Sequence, residues 1–141
     1  MRFMVLVKAN PNSEAGVMPT EQALIEMGKF NDELIAAGIL LAADGLHPSS
    51  KGARLHFAPD GGMQVIDGPF AETKELIAGY WIIQAKSKEE AIERFRSCPS
   101  EVGEIELRQL FDAADFEPTV HTEAGRAVLE AEEAFRNRSA A

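Results

Sequence analysis

Apolar and polar positions along the chain change period several times, and each change marks an element. Residues 2 to 9 form an apolar run with β-branched and aromatic side chains that reads as a first strand, broken by Asn10-Pro11-Asn12-Ser13. From Thr20, a candidate N-cap, Ala23, Leu24, Met27, Phe30, Leu34 and Ile35 recur at three- and four-residue spacing. That spacing predicts an amphipathic helix with one buried face, closed by Gly38. Ile39-Leu40-Leu41-Ala42 reads as a second strand that stops at Asp44-Gly45, with a turn at Pro48-Ser49-Ser50. Two short runs, Arg54 to Phe57 and Met63 to Ile66, flank Pro59-Asp60-Gly61-Gly62 and predict a hairpin whose glycines take the positive φ angles of the turn. Leu76 to Ala85 is the strongest strand, apolar on both faces.

The second helix opens on Ser87-Lys88-Glu89-Glu90, a capping box, and its stripe is Ala91, Ile92 and Phe95, with Pro99 as the stop. Glu104 to Phe111 alternates charged and apolar residues, as a strand at a sheet edge or rim does. The order β-α-β-(hairpin)-β-α-β is the split β-α-β arrangement of a ferredoxin-like α+β sandwich with an inserted hairpin. Two helices cover one face of such a sheet. The other face carries Met4, Leu6 and one side of the 76–85 strand, an apolar patch that calls for a second subunit and so for a homodimer. Residues 123 to 137 read as a further helix with Ala124, Val128, Ala131 and Phe135 on one side. The expected division is a domain over 1–116 and a C-terminal helical extension over 117–141, packed on its own or the partner subunit.

Composition narrows the partners. The 141 residues suit one domain. A formal net charge of −9, with 14 basic residues scattered among 23 acidic ones, disfavours nucleic acid and anionic lipid. No apolar run approaches the ~20 residues of a membrane span, so no membrane partner is expected. The N-terminal apolar run reads as a strand, not a signal peptide, and a single cysteine, Cys98, fits a reducing, cytoplasmic location. Cys98 lies near Arg94 and Arg96, which favour the thiolate, but also at a helix C-terminus, which opposes it, so it is not read as a catalytic thiol. His47, His56 and His121 show no metal-ligand spacing, and neither metal nor cofactor is expected.

The chemistry concentrates in Asp67-Gly68-Pro69-Phe70-Ala71-Glu72-Thr73-Lys74-Glu75, which holds three carboxylates and an ammonium group in nine residues. Gly68 frees the backbone and Pro69 fixes it, so Asp67 stands on a stiff corner that can aim a carboxylate. Two uses fit: Asp67 as an acid or base, with His47 as its partner, or Asp67 accepting hydrogen bonds from its own turn beside a solvated rim. Phe70, Glu72, Lys74 and Tyr80 are the candidate substrate-binding residues around it. Tyr80 and Trp81 point to opposite faces of their strand, so one is core and the other faces a dimer cavity. Lys8 and Arg108 sit at strand ends, where they either charge that cavity or stay in solvent.

The same nine residues, with Leu46-His47-Pro48-Ser49-Ser50 before them and Gly79-Tyr80-Trp81 after, resemble the YCII-related family, in its DGPF-motif branch, over residues 1 to 116. The resemblance implies a dimeric α+β barrel, in which two sheets pack face to face and leave a pocket on each side. It also implies an enzymatic role for members with a His and Asp pair in that pocket, and a genetic link to alternative sigma factors in the DGPF branch. The family's histidine falls about where this chain has Met27, and no histidine occurs between residues 20 and 38, so that pair does not carry over. The readings that follow are a small-molecule enzyme with a carboxylate acid/base in a dimer-barrel pocket, a non-catalytic ligand-sensing or protein-binding module, and a segment that only stabilises the dimer.

Overall fold

The computed structural model describes residues 1–139 of the chain. It is a mixed α+β protein with two antiparallel sheets. Four strands, β1 (Arg2–Lys8), β2 (Leu40–Gly45), β5 (Ile77–Gln84) and β6 (Ile105–Gln109), pair in the order β2-β5-β1-β6. Strands β3 (Ala53–Phe57) and β4 (Met63–Asp67) form a separate two-stranded ribbon. The helices are α1 (Pro11–Glu14), α2 (Glu21–Ala36), α3 (Lys88–Arg94), α4 (Ala113–Phe116) and α5 (Glu123–Ser139).

Local chemistry sets most boundaries. Thr20 Oγ1 accepts the Ala23 N–H at 3.1 Å and starts α2. Ser87 Oγ accepts the Glu90 N–H at 3.1 Å, but the Glu90 carboxylate reaches back to the Lys86 N–H at 2.6 Å, one residue beyond a reciprocal capping box. The turn formers after β1 make a helical turn of their own: the Asn10 side chain accepts from the Ser13 N–H and the Ser13 hydroxyl from the Asn10 N–H, both at 2.9 Å. In the ribbon turn only Gly61 takes a positive φ, of 92°, while the Gly62 N–H donates to the Asp60 carboxylate at 2.8 Å.

The core lies between the four-stranded sheet and α2 and α3. Phe3, Val5, Trp81 and Ile83 from the sheet meet Phe30, Leu34, Ala91 and Phe95 from the helices, all buried. Phe30, Trp81 and Phe95 pack edge to face, with centroids 5.2 to 5.9 Å apart, an arrangement that adds roughly 0.5–1.5 kcal/mol per pair to the burial itself. The buried stripes are narrower than the spacing predicts: Leu24, Ile35 and Ile92 are exposed, because a helix against a flat sheet buries little beyond its central row.

Two further expectations change. Strand β2 runs through Asp44-Gly45, which pair with Tyr80 and Gly79, so that dipeptide is strand and not its terminator. The sheet's other face is not left bare either, since α5 stands over part of it. Arg2 reaches Asp112 at 3.2 Å, and Arg136 of α5 approaches the same carboxylate oxygen at 3.9 Å. Between α5 and the sheet lies a cleft of about 540 Å³ whose floor includes Ala42 and Ile82. On α5 itself Val128 and Phe135 are largely exposed, so the predicted stripe is not the surface this helix buries.

Candidate functional site

The conspicuous motif closes on a hydrogen-bonded serine. Ser49 Oγ accepts the Phe70 N–H at 3.0 Å and donates to a Glu14 carboxylate oxygen at 2.5 Å, while the Ser49 N–H donates to the other Glu14 oxygen at 3.1 Å. Gly68 lies so close to this loop that a Cβ built on it would stand 1.8 Å from the Ser49 carbonyl oxygen. The glycine is therefore demanded by close approach and not by an unusual φ, and the Gly68–Pro69 peptide is cis. Arg54 stacks its guanidinium 3.9 Å from the Phe70 ring centroid. The motif and Pro48-Ser49-Ser50 thus meet as one clamp. Glu14, which the sequence offers no reason to select, completes it.

The carboxylate of that clamp points nowhere in its own chain. Asp67 is exposed at the end of β4, and among the described residues its side chain makes no hydrogen bond or ion pair. His47 is likewise exposed and without a side-chain partner among those residues. Neither hydrogen-bonds the other. Glu72 and Lys74 are exposed around a short helical turn at Thr73–Glu75. Among the described residues, no three His, Cys, Asp or Glu side chains gather as a metal-ligating group. Burial pushes the Cys98 thiol above its ordinary value, away from a thiolate.

A concave site lies elsewhere, at the end of the sheet where Gly45 faces Gly79 across β2 and β5. Two missing side chains leave a cleft of about 260 Å³ walled by Val7, Met27, Trp81 and Val102, with surface far more apolar than polar. A Cβ on Gly79 would approach the Asp44 carbonyl oxygen to 3.0 Å, so close strand contact as well as open space requires glycine there. Asn31 is the polar side chain of α2 in the wall, and its Oδ1 accepts the Trp81 indole N–H at 2.8 Å. That bond leaves the Asn31 amide donors free to meet an acceptor in the cleft.

Asp44 and Tyr80 are directly opposed residues of β2 and β5 beside this cleft, but their side chains lie on the sheet's other face, away from α2 and Trp81, where the Tyr80 hydroxyl donates to Asp44 Oδ2 at 2.8 Å. That hydrogen bond, with the carboxylate's charge behind it, raises the Tyr80 pKa, so the phenol stays a donor at neutral pH. Of the candidate residues, Tyr80 therefore joins a hydrogen-bonded pair, on the sheet face away from the cleft, and its partner is Asp44. The signal that would have found Asp44 is the register: only the pairing of β2 with β5 places it opposite Tyr80.

An uncharacterised protein of Rhizobium meliloti (strain 1021) is 31% identical over 93 residues, spanning 64% of this chain and 74% of its own. Among solved structures, 5-chloro-2-hydroxyhydroquinone dehydrochlorinase (TftG) from Burkholderia phenoliruptrix AC1100, in complex with 2,5-dihydroxybenzoquinone, is 14% identical, with a TM-score of 0.43 over 79% of this chain and 95% of that one. The model of the YCII-related domain matches residues 1–114, most of the length described above, and the chain belongs to the YCII-related family.

Proposed function

We propose that the protein is a homodimer of ferredoxin-like subunits, of the dimeric α+β barrel type, that binds a small molecule against the sheet face carrying Tyr80 and Asp44 and moves a proton on it through Asp44. The observation that carries this reading is the Tyr80–Asp44 hydrogen bond of 2.8 Å on the sheet face that α2 and α3 leave uncovered. A phenol that holds one carboxylate oxygen fixes the group and leaves the other oxygen to take up or return a proton. Met4 and Leu6, beside Tyr80 on the same face, give the body of that molecule an apolar surface.

In this reading the proton-transfer role passes from Asp67 to Asp44, and the DGPF corner, with Phe70, Glu72 and Lys74, is structural. The strand order β2-β5-β1-β6, with α2 and α3 on one face, supports the ferredoxin-like assignment. Family membership supports the dimer.

The test is hydrogen exchange in D₂O, followed by proton NMR, across a set of neutral cyclic ketones and phenols. The reading predicts protein-dependent exchange at a carbon next to a carbonyl, or at a phenol's ring carbon, that Asp44→Asn abolishes and Tyr80→Phe slows. Binding without exchange would favour the ligand-sensing module. Exchange that survives Asp44→Asn but not Asp67→Asn would return the chemistry to the corner.

A further inference from the structure

The ribbon of β3 and β4 has two unlike faces. Its register opposes Leu55 to Val65 and Phe57 to Met63 on one face, with Ala53 and Asp67 at the corner end, and Arg54 to Ile66 and His56 to Gln64 on the other. The mixed face is tied to its own chain by Arg54 over Phe70. The apolar face is open: Leu55, Phe57, Met63 and Val65 are 50%, 74%, 53% and 53% exposed. A lone two-stranded hairpin is at best marginally stable in water, and alternation this clean is the pattern of a strand with one buried face.

We propose that this apolar face is covered by a second copy of the chain, each ribbon lying across the open face of the partner's four-stranded sheet; the proposal rests on the homodimer reading above. Area decides between this arrangement and ribbon on ribbon. The four side chains offer on the order of 450 Å² each time they are presented, the size of a monomer's largest ordinary apolar patch. Two ribbons against each other would bury on the order of 900 Å², below the ~1,200–2,000 Å² of a stable specific interface. A twofold axis makes every contact twice, so two ribbons on two sheet faces bury on the order of 1,500 Å², which falls within that range.

The sheet face is suited to receive the ribbon. Met4, Leu6 and Tyr80 lie on it in adjacent strands, partly exposed, on the side away from α2 and α3 and beside the part that α5 stands over. Lys8 follows Leu6 on the same face of β1 and has no ion-pair partner among the described residues. Asp67, at the corner end of the ribbon's apolar face, is also unpaired among the described residues. An unpartnered ammonium on one surface and an unpartnered carboxylate on the other are the charge complement that fixes register across an interface. The Asp67 of the motif then serves the dimer, and the partner's ribbon encloses the Tyr80–Asp44 pair.

The experiment is sedimentation equilibrium of the full chain, with circular dichroism as the check on folding. The wild type is expected to be a dimer. Phe57→Glu with Val65→Glu is expected to raise its dissociation constant at least 100-fold with the helical signal unchanged. Lys8→Glu alone and Asp67→Lys alone are each expected to weaken the dimer on the order of tenfold, and together to restore it. A wild type that is monomeric at 100 µM or so overturns the homodimer reading and this one with it. A wild-type dimer that the ribbon substitutions leave intact, or a charge exchange without rescue, overturns the ribbon assignment alone. Where the doubly substituted ribbon loses its fold, the charge exchange decides.

Discussion

Two Asp-Gly dipeptides in this chain have opposite fates. Asp67-Gly68 sits in the motif that draws the eye, yet its carboxylate has no partner among the described residues and its glycine is wedged against the Ser49 carbonyl. Asp44-Gly45 reads as the point where a strand stops, yet it is strand, its carboxylate receives the Tyr80 hydroxyl on one face, and its glycine opens onto a cleft on the other. A dense motif marks where the backbone is demanding. A functional pair is made by register, which brings together residues 36 positions apart.

That contrast can be tested at the two glycines and their neighbours. The largest effect belongs to Gly68→Ala, because the Cβ would collide with backbone and neither side can yield; a loss of about 3 kcal/mol is expected in urea unfolding. Ser49→Ala should follow, at about 1–3 kcal/mol, since it strips the Phe70 N–H and Glu14 of their shared partner. A result near zero for both would mean that the clamp is not what holds the corner.

A smaller, spectroscopic effect is expected at the other dipeptide. Tyr80 is the only tyrosine, so ultraviolet titration reports it alone. Its midpoint should lie above the ordinary 10.0 and fall back toward it in Asp44→Asn. The sign for stability follows: a raised folded pKa contributes stability below the unfolded value, and that contribution is lost as pH rises through the folded one. The smallest effect is expected from Gly45→Ala, which meets no atom within 4 Å; stability should change by less than ~0.5 kcal/mol while the cleft narrows. Equal losses from Gly45→Ala and Gly68→Ala would erase the distinction between the two sites.

Much of the architecture was legible from period alone. The 3.6-residue spacing from Thr20 located α2, and the two-sided apolar run located β5, because burial on one or both faces writes itself directly into sequence. The separate ribbon was legible from its turn residues. What was not legible depended on distance in sequence. Asn10-Pro11-Asn12-Ser13 contains both turn formers and a reciprocal cap, and only the Glu14–Ser49 contact shows why the chain turns into a helix there. Leu24 and Ile92 fit their helical stripes but lie outside the strip that a sheet can cover. Asp44-Gly45 reads as the end of the second strand because Asp-Gly commonly breaks strands, whereas the pairing of Asp44 with Tyr80 depends on a bulge between Leu40 and Ala42 that no local rule signals.

The central claim is that ligand chemistry belongs to the Asp44–Tyr80 pair and not to the Asp67 corner. Amide chemical-shift mapping with a library of single-ring fragments tests it most directly. The fragments that bind are expected to shift Leu6, Asp44 and Tyr80 together. Shifts confined to Asp67 through Lys74, with Tyr80 unmoved, would contradict it.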